Sequence, residues 1–161
     1  MHDVMAWIEA STLGHLMRES GPWTYAIVNL THIFGIASLF GAILVMDLRL
    51  IGCWRHVPLA PLSAATTPVG AAGLAVAVTS GIALLSANAT EYVGNPFLLI
   101  KFPAIALGLV NIALLMRSRA WKARGERELS PAETRQLAIL GGVSLCSWVT
   151  AIAAGRMIGY W

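Results

Sequence analysis

Four long apolar runs, separated by short polar or charged stretches, set the pattern of this chain. The first covers about 22–46, and between Glu19 and Asp47 no residue carries a formal charge. The second, 68–88, opens at Pro68 and ends at Asn88; the third, 97–116, follows Asn95-Pro96 and stops at Arg117; the fourth covers 136–158. Each is long enough to cross a bilayer as a helix, which takes roughly 20 apolar residues. Ahead of them, residues 3–19 place Val4, Met5, Ile8, Thr12, Leu13, Leu16 and Met17 near one face, with Asp3, Glu9, Arg18 and Glu19 elsewhere. That spacing predicts one amphipathic helix lying in the membrane interface, closed by Gly21-Pro22. The stretch Val57–Thr67, with Pro58 and Pro61, reads as a connector. Ser130-Pro131-Ala132-Glu133 carries the cap, first-turn proline and acidic residue that start a helix.

Composition fixes the class. Of 161 residues, 57% are hydrophobic and 12% charged, about half the charge of a soluble domain. The expected fold is all-α: an integral membrane four-helix bundle forming a single domain over 1–161, with the lipid bilayer as its solvent. Six basic residues (Arg117, Arg119, Lys122, Arg124, Arg127 and Arg135) fall in the linker 117–135. Without interleaved aromatics this is a topology signal and not a nucleic-acid surface. Basic residues concentrate in the one-two and three-four loops, which places both loops in the cytoplasm and both termini outside. Trp23, Tyr92, Tyr160 and Trp161 then mark the outer interface, and Trp54 and Trp121 the inner one. The acidic N-terminus gives no expectation of a cleavable signal peptide.

Small residues recur at every fourth position as Gly73, Ala77 and Gly81 in the second span and as Ala151, Gly155 and Gly159 in the fourth. Such stripes let helix backbones approach closely.

Candidate chemistry is sparse. An ionisable side chain inside a span is costly and points to function, and three qualify: His32, Lys101 and Arg156. By helical rise His32 lies about 15 Å below the outer end of its span. Lys101 and Arg156 fall in the outer half of theirs, so a shared outer-leaflet cavity is the economical account. Tyr25, Asn29, His32 and Gly35 follow one helical stripe; Tyr25 and Asn29 would line an approach, and Gly35 would leave room for a flat ligand beside the imidazole. The alternative is a histidine that locks neighbouring helices together. Lys101 and Arg156 suit a pair of carboxylates, although both can snorkel to headgroups. His15, one turn before Glu19, is the candidate second metal ligand. Asp47 and Arg49 read as a cytoplasmic helix-end cluster, which leaves no carboxylate for proton work within the spans. Cys53 and Cys146 show no metal or disulfide spacing, and no hydrolytic triad or phosphate loop is present.

The segments Thr31-His32-Ile33-Phe34-Gly35, Asp47-Leu48-Arg49-Leu50-Ile51-Gly52 and Asn95-Pro96-Phe97 leading to Lys101, together with Trp23, resemble a family of small, uncharacterised bacterial four-helix membrane proteins. More distantly, the histidine early in the first span, the Arg-Leu pair at its end and the later lysine are similar to HemJ-type protoporphyrinogen oxidases and CopD-like copper-resistance domains. The first of these implies haem or porphyrin, with His32 as the matching ligand and Lys101 as the matching lysine. Spans two to four contain no histidine, so two intramembrane imidazoles from this chain cannot clamp one haem. The leading expectation is a b-type haem (haem b) electron-transfer protein of the bacterial inner membrane. His32 would be an axial ligand, with His15, a methionine such as Met157, a second subunit or nothing as the sixth, and Lys101 and Arg156 would be the propionate partners. It would serve a redox partner or larger complex, with a homo-oligomer also compatible. The rivals are a structural or accessory membrane subunit and a carrier or sensor for a small acidic ligand or copper.

Overall fold

The computed structural model describes residues 2–161, and every regular element among them is helical. In order these are α1 (His2–Glu9), α2 (Thr12–Glu19), α3 (Pro22–Ile51), α4 (Leu59–Ala87), a 3-10 turn (Ala89–Tyr92), α5 (Pro96–Arg117), α6 (Arg119–Ala123), α7 (Pro131–Met157) and a final 3-10 turn (Ile158–Tyr160). The helices α3, α4, α5 and α7 are each long and apolar enough to cross a membrane. This is a multi-pass membrane protein. Its exposed apolar side chains, Ile27, Leu30, Ile33 and Phe34 on α3 among them, are those a lipid-facing surface requires.

Three boundaries differ from the sequence expectation. Residues 3–19 form two helices in place of one: the chain breaks at Ala10 and restarts at Ser11, whose side chain accepts from the Gly14 N–H as an N-cap. α3 runs on through Asp47 and Arg49 to Ile51. α4 begins at Leu59, within the stretch read as a connector, and carries Pro68 in its interior. An interior proline removes one helical donor, which the surroundings of apolar helices tolerate. The start of α7 follows expectation: Ser130 and Glu133 form a complete capping box with Pro131 in the first turn.

The chain packs as two compact units. One comprises residues up to Leu39 with Gly70–Asn95; the other comprises Phe40–Val69 with Pro96–Trp161. α3 and α4 therefore contribute to both.

In the first unit the face of α4 that meets α3 is the predicted small-residue stripe. A Cβ added to Gly73 would lie 2.5 Å from the Leu39 nitrogen, and one added to Gly35 would lie 2.7 Å from the Ala77 nitrogen. α2 packs on the end of α4, where Met17 joins Ala83 and Ala87 in a small core with Val28 and Leu84. Gly14 lies against the Ser86 carbonyl and the Glu9 carbonyl. Arg18 donates to the carbonyls of Ala87 (2.9 Å), Ser86 (3.4 Å) and Glu9 (2.9 Å). The Glu9 carboxylate accepts from the Thr90 N–H (2.7 Å) and hydroxyl (2.6 Å), and these two bonds hold its carboxyl below the usual range.

In the second unit the core gathers Met46, Leu50, Leu59, Leu115, Trp121 and Leu137. α5 and α7 pack along their length. Gly108 lies beneath the Trp148 indole, with 3.0 Å from a built Cβ to the ring, and the buried Asn111 donates to the Leu140 carbonyl at 2.9 Å.

Candidate functional site

The site is best built outward from His32, which sits partly buried on α3. Its Nδ1 is 3.0 Å from the Ser80 Oγ on α4. The imidazole fits there because the facing residue is Gly81: a Cβ at that position would stand 3.0 Å from the His32 Cε1. Ser80 has one hydroxyl proton, and its Oγ donates back to the Val76 carbonyl. The serine oxygen is then the acceptor and His32 Nδ1–H the donor. A histidine fixed through one ring nitrogen is oriented for ligation through the other.

The neighbours expected to open a cavity do not all do so. Gly35 is buried, and the space above it is filled by the Ala77 backbone and the Val76 side chain. It provides a helix contact and no room beside the imidazole, because a missing Cβ in a packed span is taken up by the neighbouring backbone. Asn29 and Tyr25, one and two turns before His32, are exposed. A planar ligand on His32 therefore cannot enter over Gly35; the Tyr25 and Asn29 side of the stripe is the exposed one. The imidazole itself fits an axial-ligand role, while the glycine does not fit a macrocycle.

His15 is exposed on α2 and pairs with Glu19, Nδ1 to Oε1 3.3 Å. His32 and His15 both belong to the first unit, and neither contacts the other among these bonds. Lys101 and Arg156 belong to the second unit. Lys101 is partly buried and lies along Gly155, 3.4 Å from a built Cβ to Nζ. Its ammonium has no hydrogen-bond or ion-pair partner among the described residues. Arg156, the next residue after Gly155, turns to its own helix end, where it donates to the Tyr160 hydroxyl and stacks 4.6 Å above the Tyr160 ring. The structure thus brings Lys101 alongside the α7 stripe, yet directs Arg156 away to a tyrosine. Among the described residues no group of three His, Cys, Asp or Glu side chains is placed to hold a metal ion.

One buried acid escaped the sequence reading. Asp47 and Arg49 do not pair: Arg49 donates to the carbonyls of Val57 (2.6 Å) and Arg55 (3.0 Å), organising the loop after α3. Asp47 is only 3% exposed and its backbone lies against α7 at Gly141. The span Pro22–Ile51 does contain a carboxyl group after all. Its neighbour Gly141 lets α7 approach until a Cβ there would stand 2.9 Å from the Leu50 Cβ and 3.1 Å from the Asp47 carbonyl. Only the small residues at 141 and 144, three apart on α7, hinted at this contact.

A further feature of the second unit is an apolar groove of about 670 Å³ between α5 and α7, lined by Ile100, Leu107, Ile139, Val143 and Cys146 with Thr150 at one side.

No curated protein and no solved structure matches this chain. Residues 4–161 match a family of unknown function, DUF6644, and the chain belongs to that family.

Proposed function

We propose that this protein is an integral membrane b-type haem protein with His32 as an axial ligand. It serves electron transfer near the periplasmic face of the bacterial inner membrane, with both termini outside. The observation that carries this reading is the Nδ1–Ser80 bond, which fixes the orientation of an imidazole inside a span. Haem bound there would carry one electron between ferric and ferrous iron, with its potential set by axial ligand and burial. His15, oriented by Glu19, is the second candidate ligand. Within the second unit, Lys101 offers an ammonium with no partner among the described residues, suited to a carboxylate, whereas Arg156 is engaged by Tyr160. A redox partner or larger membrane complex would receive the electron.

The test is the absorption spectrum of protein purified from haem-replete cells, oxidised and reduced. The expected result is a Soret band that His32→Ala abolishes and that His15→Ala shifts if His15 is the sixth ligand. A preparation without a Soret band at useful stoichiometry overturns the proposal.

A second reading rests on Gly35, Gly73 and Gly81. These glycines make His32 part of a close α3–α4 contact, which suits an accessory subunit whose polar groups fix helix packing. In that case His32→Ala changes stability and leaves the spectrum unaltered.

A further inference from the structure

One face of α7 stays open along most of its length. Arg135, Ile139, Gly142, Cys146 and Thr150 follow one another at spacings of three and four, a single helical stripe. Ile100 and Leu107 of α5 supply the opposite wall of the groove. Midway along, Gly142 has no side chain to fill the space, and a Cβ built there would meet nothing within 4 Å. Ile139 lines both this groove and a second hollow of about 350 Å³, which Arg135 and Gln136 also line. The two hollows together are apolar along their run and cationic at one mouth.

No acid answers that charge. α5 contains no Asp or Glu, and the one acid of α7, Glu133, is held by Arg127 at 2.6 Å. Arg135 is exposed and forms no hydrogen bond or ion pair among the described residues. Because Asn111 meets Leu140 and Lys101 meets Gly155, α5 and α7 run antiparallel. The exposed Arg117 at the end of α5 therefore stands at the level of Arg135 and adds to its field. At the far end the lining stops at Ile100 and Thr150, and the Lys101 ammonium lies beyond it along Gly155.

The occupant must be apolar over most of its length and negative at the arginine end. A second copy of this chain inserted in the same sense would bring its own Arg117 and Arg135 to that end, like charge against like. A lipid fits the dimensions. From Arg135 to Thr150 the helix rises about 22 Å, close to one leaflet with its headgroups, half of roughly 40–45 Å.

We propose that the α5–α7 groove binds one anionic phospholipid of the surrounding bilayer. An acyl chain lies along the groove past Gly142 and Cys146, and the phosphate is held by Arg135, whose planar fork of donors matches phosphate oxygens. The site lies wholly in the second unit and uses none of the residues assigned to haem.

The test titrates full-length, delipidated protein in detergent with phosphatidylglycerol or phosphatidylcholine of matched chains, and counts bound lipid by native mass spectrometry. One phosphatidylglycerol is expected to bind more tightly than phosphatidylcholine. Arg135→Gln should weaken phosphatidylglycerol about fivefold, equivalent to about 1 kcal/mol, and leave phosphatidylcholine unchanged. Gly142→Leu fills the groove where an added Cβ meets no protein atom and should weaken both lipids; leucine is also the better helix former. Lys122→Gln, which removes an exposed charge that lines neither hollow, should change neither affinity. Equal affinities for the two lipids overturn the proposal, as do equal losses from Lys122→Gln and Arg135→Gln. So does lipid binding that Gly142→Leu leaves intact, or a protein dimer that this variant dissolves. Arg135 is exposed, so its variant gives the answer even if Gly142→Leu does not fold.

Discussion

His32 and Ser80 are joined across the α3–α4 contact at 3.0 Å, and each depends on a glycine for its place. Gly81 makes room for the ring, and Gly35 brings α4 near enough for the serine to reach it.

This pair should show measurable coupling. In a double-mutant cycle of His32→Ala and Ser80→Ala, unfolding in detergent should give about 0.6 kcal/mol of interaction, with roughly 1.7 as the upper end for hydrogen bonds between membrane helices. A value indistinguishable from zero would show that the two side chains are neighbours without being partners.

Glycine substitutions should divide by position. Gly35→Val drives a side chain into the Ala77 backbone and is expected to cost about 1–3 kcal/mol through overpacking. Gly41→Val, where nothing lies within 4 Å of the added Cβ, should cost far less. Equal effects in thermal unfolding would contradict the helix contact.

The N-terminal clasp should loosen in acid. Bonds from Thr90 lower the folded-state pKa of Glu9, so the stability it contributes is fully present above the unfolded pKa. That contribution is lost as pH falls through the folded value. Protection of the Thr90 amide in hydrogen exchange should follow that course, and Glu9→Gln should lower the protection and remove its pH dependence.

Lys101→Met separates binding from folding. The ammonium has no partner among the described residues and lies along Gly155, so the thioether should leave the unfolding midpoint unchanged or raise it slightly. Affinity for a carboxylate ligand should fall. A loss of stability equal to that of a core truncation would mark Lys101 as structural.

Much of the architecture was legible because apolar runs of membrane-crossing length have few alternatives, and because Ser130 and Glu133 announce a helix start by their chemistry. The ends of α3 and α4 were not. A charge at Asp47 and a proline at 61 look like boundaries in a string of letters, yet α3 carries its acid into a protein interior and α4 takes Pro61 into its first turn. Gly35 was ambiguous for a related reason: an absent side chain signals either space or contact, and only the position of Ala77 decides between them. The placement of Asp47 depends on Gly141, a residue far along the chain.

Arg18 holds the last carbonyls of α4, groups that a helix end leaves without partners of its own. The ribosome delivers this arginine well before the helix it finishes. When the second span emerges, its terminating group is already made, so the C-terminal end of α4 can be closed as soon as it is formed. Removing the first twenty or so residues would therefore be felt less at the N-terminus than at the turn after α4, as fraying of a span that the truncation never touched.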